Sequence, residues 1–334
     1  MITGVFGLSP EATRAVLQSA TRAPSVHNSQ PWRFRLHDDS IEILVDPTRR
    51  LPVADPDDRE LRIACGAALF NLRLALLSAG IEPTVVIRPS PDSGCIATIH
   101  NGGSATMLAD AMTLFRAINQ RRTNRKPFLE QPVEVRERHL LVNAAEAEAS
   151  RLRIVSDPRE QADLHRLLVL AHRAQTSDPR WVEEFDSWLM RSRDDHDGIT
   201  LAASGPDPEL QDTWVLRDFG KGHAKVRVPG KDFESEPLIA ILASYVDGPS
   251  AQVQAGQALQ RVLLTATALG LSASFLSQVV EVADTRARLQ HLIGGPYPQA
   301  AVRIGYGSPV PATARRPVED CLVDEPVPGT DPRR

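Results

Sequence analysis

Between residues 10 and 22 the apolar positions Ala12, Val16, Leu17 and Ala20 fall on one face, while Glu11, Arg14 and Gln18 point away from it. That spacing predicts an amphipathic helix, with Ser9-Pro10 supplying an N-cap and a proline for the first turn. A loop, APSVHNSQP, follows, and WRFRLHDDSIEILVD then alternates around His37-Asp38-Asp39-Ser40 as a hairpin does. Residues 59–79 form a strongly apolar helix ending at Gly80, with strand-like runs around 84–88 and 95–100. From about residue 108 the pattern predicts a new helix, a helix over 134–149, a strand over 151–156 and helices over 158–192. Residues 194–236 are rich in Gly, Pro and Asp and have no sustained periodicity; a loop of that length in a compact domain is usually functional or disordered. An apolar strand over 238–246 and a second apolar helix over 251–269, ending at Gly270, come next.

The two apolar helices superimpose without a gap: Gly66 on Gly256, Ala68 on Ala258, Leu69 on Leu259, Leu74 on Leu264, Gly80 on Gly270. Each is followed by a strand-like run and later by another, CIATIH in the first copy and QAAVRIG in the second. Ala/Leu-rich helices that end in glycine resemble one another by chance. The matched order of flanking elements favours a duplicated unit. Helices apolar on nearly all faces are buried ones, so a pseudo-twofold core is expected.

Composition narrows the class. Apolar residues make up 42% of the 334 and charged residues 24%, as in ordinary globular proteins. A net charge of -4 argues against general nucleic-acid binding. No apolar run approaches the roughly 20 residues that span a bilayer, and the start lacks the basic region of a signal peptide. Cys65, Cys95 and Cys321 are odd in number and far apart, which suggests neither a disulfide framework nor a zinc site. A cytoplasmic location and no metal are expected.

Three segments carry candidate chemistry. The first offers Ser25, His27, Asn28, Ser29 and Gln30, then Pro31 and Trp32. Asn and Gln each carry a donor and an acceptor, which suits the edge of a pyrimidine-like ring, although a turn ahead of a hairpin also uses such residues. The second is Arg121-Arg122-Thr123-Asn124-Arg125, three guanidinium groups in five residues. It is either a phosphate cradle or a solvated basic patch at a helix end. The third is Arg315-Arg316 within ARRPVED near the C-terminus.

Ala23, Pro24, Ser25, Asn28, Gln30, Pro31 and Trp32 match the A-P-S-x-x-N-x-Q-P-W segment of the FMN-dependent nitroreductase family, and the chain resembles its long, fused (tandem) actinobacterial NAD(P)H nitroreductase type. The resemblance implies an α+β fold of two fused pseudo-symmetric halves, each a mainly antiparallel sheet flanked by helices, around a buried helical core. The halves are expected at 1–107 and 108–334, with an extended C-terminal tail and, from its length and composition, a lid insertion at 194–236. The resemblance implies that Arg121, Arg122 and Arg125, with Thr123 where serine is usual, hold the FMN phosphate and ribityl chain, joined by Asn124. Arg315 or Arg316 also reaches the phosphate. Leu276 and Ser277 lie in a post-helix loop over the flavin's reactive face, and the 25–32 loop reaches the flavin from the other half. The second half has no such loop near 143–150, where it reads NAAEAEAS, so one FMN per chain is expected. The implied activity is NADPH- or NADH-dependent reduction of a small electron acceptor, by a monomer or a homodimer. No residue of the sequence is forced as a general acid or base. If 194–236 folds over the flavin, with His196, Trp214, Phe219 and His223 packed on the ring, the alternative is an FMN storage or sequestration protein without nitroreductase activity.

Overall fold

The computed structural model describes residues 2–192, 194–209, 212–224, 227 and 237–323. Parts of the expected lid (210–211, 225–226 and 228–236) and of the C-terminal tail (324–334) lie outside the described residues.

Two four-stranded antiparallel sheets repeat one topology. In the first half, α1 (Pro10–Ala20), β1 (Trp32–Leu36), β2 (Ser40–Val45), α2 (Arg59–Ser78), β3 (Ile81–Ile87) and β4 (Cys95–Ser104) give the order β1-β2-β4-β3. After α3 (Ala109–Ile118), the second half runs α4 (Val135–Glu146), β5 (Arg151–Val155), α5 (Pro158–Thr176), α6 (Pro179–Ser187), β6 (Leu238–Ser244), α7 (Pro249–Ala268), β7 (Ser272–Phe275), α8 (Gln278–Glu281), α9 (Ala283–Leu292) and β8 (Tyr297–Gly305). Its order is β5-β6-β8-β7. What differs is where material is inserted: α5, α6 and the 188–237 segment separate β5 from β6, and α8 and α9 separate β7 from β8. Residues 270–278, expected as one loop, hold the edge strand β7, which pairs with β8; only 276–277 leave the sheet before α8. Strand propensity of Ser-Ala-Ser-Phe is weak, and pairing with β8, buried beyond Tyr297, overrides it.

The two long helices have the same length and a fixed offset of 190 residues, from Arg59–Ser78 to Pro249–Ala268. They cross at their equivalent glycines: a Cβ on Gly66 would stand 2.0 Å from the Val253 carbonyl oxygen, and one on Gly256 2.1 Å from that of Ile63. Each glycine thus meets its own counterpart, which is what a local twofold requires. The α2 helix is long and apolar enough to cross a membrane by length and composition, contrary to the run-based expectation, but 78% of its most apolar stretch is buried inside the molecule. Asp55 starts this helix: its carboxylate accepts from the Glu60 and Leu61 amides at 3.0 and 2.8 Å, satisfying two orphan donors of the first turn. Both helices stop at left-handed glycines, Gly80 (φ 83°) and Gly270 (φ 78°).

The halves interlock beyond the helical core. After β8 the chain returns to the first sheet, where Leu322 bridges Phe34 in parallel and the Val323 amide donates to the Phe34 carbonyl. Reciprocally, Thr123 bridges Ala273 of β7.

Candidate functional site

A cavity lies where both halves meet residues 199–206 and 214–219. Its enclosed volume is about 120 Å³, and the empty space is about 1220 Å³ when the open mouth is included. The helical floor is apolar: Ile63, Ala64 and Ala67 from α2 and Leu259 from α7.

Of the expected loop residues, Ser25, His27 and Asn28 line the cavity, while Ser29, Gln30, Pro31 and Trp32 do not. The loop is wound tightly, with His27, Asn28 and Gln30 all at positive φ (52°, 59° and 54°). Such backbone strain persists only where surroundings over-determine it. Here they do. The Ser25 hydroxyl accepts from the Gln30 amide, and the Asn28 side chain donates to the carbonyls of Gly198 and Ala314, both at 3.1 Å. The Gln30 side chain donates to the His196 carbonyl and accepts from the Arg316 amide. The amides expected to read a ring edge are therefore committed to backbone, and Trp32 is a fully buried core residue. Arg49 completes the clamp through the Ser29 carbonyl and Asp197.

The arginine run divides. Arg121, Thr123 and Arg125 line the cavity; Arg122 and Asn124 do not. Asn124 is buried and ties the segment to Ser272 and Ser308. Arg122 donates to the carbonyls of Asn119 and Arg121. Near the C-terminus, Arg315 lines the cavity, whereas Arg316 pairs with Asp46 and holds Gln30. Leu276 and Ser277 both line it.

The cavity cations form two sets. Arg121 and Arg315 feel each other, and Arg122 and Arg22, as neighbouring positive charges. Burial first, and these neighbours second, bring Arg121 down to about 10 and Arg315 to about 9, still cationic at neutral pH. Among the described residues no carboxylate pairs with any of the four. Arg315 is held by the carbonyls of Thr21, Ala23 and Ala314 and by Thr313. Arg121, 5% exposed, makes no side-chain hydrogen bond among the described residues, and its Nε is orphaned. Burying an uncompensated charge is expensive, so this end of the cavity is built for an anion. The second set is Arg125, Arg217 and Arg303. Arg125 stands 4.6 Å over the Phe219 ring and donates to the Ala203 carbonyl. Arg303 lies 4.5 Å from the Phe128 ring centre. Arg217 pairs with buried Glu281 and donates to Ser277 and Gln175.

His27 is a neutral group at this end. Burial, then the charge of Arg217, lowers it to about 3; its Nε2 is orphaned and its ring packs 5.1 Å from that of Phe185. Burial alone would raise Glu281, but Arg217 overrides it and holds the carboxylate at about 2. Both values lie below the ordinary 6.5 and 4.5, so the native state binds these protons less tightly than the unfolded chain does. The stability tied to His27 is therefore complete above pH 6.5 and drains as pH falls from 6.5 towards 3; that tied to Glu281 drains from 4.5 towards 2. Replacing His27 by Phe, which keeps the ring contact, is expected to flatten the loss of stability between pH 6.5 and 4.5. Urea midpoints across that range measure it, and an unchanged slope would refute the assignment.

Sequence reasoning missed Glu60, Arg217, Ser274, Gln278 and Arg303, all in the wall. Of the four aromatic or histidine residues expected in the insertion, Trp214 and Phe219 line the cavity and His196 and His223 do not.

The residues at the pseudo-symmetric position differ from those of the cavity floor. At the 190-residue offset, Ala64 and Ala67 correspond to Gln254 and Gln257. These pack with Glu148, from the α4–β5 connection that corresponds to the 21–31 loop. Glu148 is buried and receives Arg73 at 2.9 Å and Arg261 at 3.0 Å, while Gln254 donates to its carbonyl and Gln257 accepts from Arg73. Arg73 and Arg261 thus share the buried Glu148 carboxylate.

No family model matches the chain. Two proteins of Mycobacterium tuberculosis (strain H37Rv), each named "Putative NAD(P)H nitroreductase", are similar along nearly its whole length. One is 32% identical over 315 residues, covering 92% of this chain and 89% of its own; the other, acg, is 28% identical over 319 residues, covering 94% and 96%. Among solved structures, a nitroreductase with bound FMN from Desulfitobacterium hafniense aligns with 66% of this chain and 100% of its own, at 13% identity and a TM-score of 0.40.

Proposed function

The chain belongs to the NAD(P)H nitroreductase family, and from that premise we propose that it is an FMN-dependent oxidoreductase holding one FMN per chain between halves divided near residue 107. The observation that carries the reading is the buried arginine set of Arg121 and Arg315, with no acid partner among the described residues. Such a set fits a phosphate, the anionic end of FMN. Thr123 and Ser25 would flank the ribityl chain, and Leu276, Ser277, His27 and Arg125 would surround the ring. Bound FMN would supply two-electron transfer from NADPH or NADH to a small acceptor. The chain's own work is to hold the phosphate, to keep a neutral imidazole at the ring, and to exclude water with the wall of residues 199–206 and 214–219.

Ala64 and Ala67 support a single site, because their counterparts at the mirror position are the larger Gln254 and Gln257. Ala67→Gln is expected to abolish FMN uptake while leaving the far-ultraviolet circular dichroism unchanged. FMN released on denaturation should amount to one per wild-type chain; two per chain would defeat the reading, and so would a colourless protein that takes up none.

A second reading, FMN sequestration without turnover, is favoured by the wall that Trp214, Arg217 and Phe219 build over the cavity. Anaerobic mixing with excess NADPH or NADH separates the two. Bleaching of the flavin band supports the oxidoreductase. Bleaching seen only after deletion of residues 200–230 supports a lid that bars the nicotinamide.

A further inference from the structure

Two carboxyl residues line three neighbouring spaces between them. Glu60 lines the main cavity and also a small space behind it, bounded by Val26, Ser29, Arg49 and Leu51. That space has about 10 Å³, close to the room one water needs. Asp55 lines the same small space and, on its other side, an open cleft between residues 53–57, α5, α6, α8 and α9. The two carboxyls are held in register, since Asp55 accepts from the backbone amide of Glu60 itself. Glu60 is thus a shared wall of the cavity and the small space, and Asp55 a shared wall of the small space and the outer cleft.

The charges facing Glu60 come from four places. Arg59, on its own helix, donates to its carboxylate and divides its remaining bonds between the carbonyls of Gln299 and Val280. Asp55 approaches from the preceding loop, Glu281 from α8 and Arg286 from α9. In the cavity beyond stand neutral His27 and Arg217, the latter engaged by Glu281. Burial outweighs the attraction of Arg59, and Glu281 and Asp55 add to it, so Glu60 is raised to about 7. Burial raises Asp55 as well, against its amide bonds and Arg59.

We propose that Glu60 is the proton donor of the main cavity, and that Asp55 resupplies it from the outer cleft through the water-sized space. The proposal rests on the flavin reading. Bound FMN, once reduced, would supply a hydride to the acceptor, and Glu60 would supply the proton. The carboxyl O–H bond breaks with its electron pair left on the carboxylate, and a new bond to hydrogen forms on the acceptor. A proton from bulk water, passed by Asp55, restores the acid. Donors work best with a pKa near the working pH, which a buried carboxyl provides and an exposed one does not.

Two measurements test it. Infrared difference titration of FMN-free protein between pH 5 and 9 should show one carboxyl band that disappears near pH 7 and is missing in Glu60→Gln, whose remaining oxygen still accepts from Arg59. Separately, FMN-loaded protein reduced with one equivalent of dithionite is mixed anaerobically with nitrofurazone. Wild-type reoxidation should slow about tenfold per pH unit above 7, as loss of a single proton requires. Glu60→Gln should be at least tenfold slower at pH 6 and flat with pH. In Asp55→Asn a second turnover begun directly after the first should lag, and formate, a small acid that can enter the cleft, should restore it. A pH-independent wild type, or a Glu60→Gln variant with the wild-type profile, overturns the role of Glu60 while leaving the flavin reading intact. A protein that takes up no FMN overturns both, even with the infrared titration as expected.

Discussion

A protein carrying Gly256→Ala is expected to lose on the order of 3 kcal/mol of stability or more, at the upper end of what overpacking a core does. Its Tm should fall by about 5 °C or more, on the scale of roughly 2 °C per kcal/mol for a large domain. The cause is local and severe. The added Cβ would meet the Ile63 carbonyl oxygen at 2.1 Å and the Cα of Gly66 at 2.9 Å, all backbone of a facing helix that no rotamer change can relieve. The helices must separate, and every buried contact along α2 and α7 loosens with them. Gly66→Ala should behave alike. The double variant should cost less than the sum, because one separation relieves both clashes. Gly270→Ala is the control: its φ of 78° is strained for alanine but no atom stands nearby, so about 1–2 kcal/mol is expected. The damage should reach the site, since Ile63 and Ala67 flank Gly66 and line the cavity. Urea unfolding of the four proteins checks the ranking; a Gly256→Ala protein as stable as Gly270→Ala would refute the close crossing.

Much of this fold was legible because it is written in long periodic segments. The two 20-residue helices carry their apolar pattern over five turns, and their gap-free match announces the repeat that the two identical strand orders express. The α8–α9 pair was not legible, because α8 has a single turn and α9 a weak apolar face. Residue type alone left Arg121, Arg125 and the His27 loop open between a ligand role and a structural one; the family motif put them together, and they do share a cavity wall. Elsewhere the decisive partner lies far away in sequence. Asn28 is committed to residues 170 and 286 positions distant, which no local pattern encodes. Arg315 and Arg316 are neighbours with opposite fates, one on the cavity and one on Asp46, and only the path of the tail distinguishes them. Glu60 reads as an ordinary first-turn acid favoured by the helix dipole. Its burial beside Glu281 and Asp55 comes from packing.

The combined change Arg121→Ala and Arg315→Ala is expected to reduce FMN affinity by roughly 10²- to 10⁴-fold, as two charge-assisted contacts of about 1.5–3 kcal/mol each imply. Arg122→Ala, off the cavity wall and bonded to two carbonyls, should cost less than about tenfold, since it contributes only a screened charge. Stability should move the other way at one position. The Arg121 guanidinium has neither an acid nor a hydrogen-bond partner among the described residues and its Nε is buried, so in FMN-free protein only the solvent that the cavity admits offsets its charge. Arg121→Met keeps much of the side-chain volume and removes that charge, and FMN-free protein carrying it should melt at or above the wild-type temperature. Arg315→Ala should melt lower, because it releases the carbonyls of Thr21 and Ala23 that fix the entry to the His27 loop. Inorganic phosphate should raise the Tm of the wild type by linkage, and should do so far less for either variant. Thermal melts with and without phosphate, beside fluorescence titration with FMN, separate an arginine that binds from one that holds the fold. An Arg121→Met protein that still takes up FMN like the wild type would move the phosphate away from this end of the cavity.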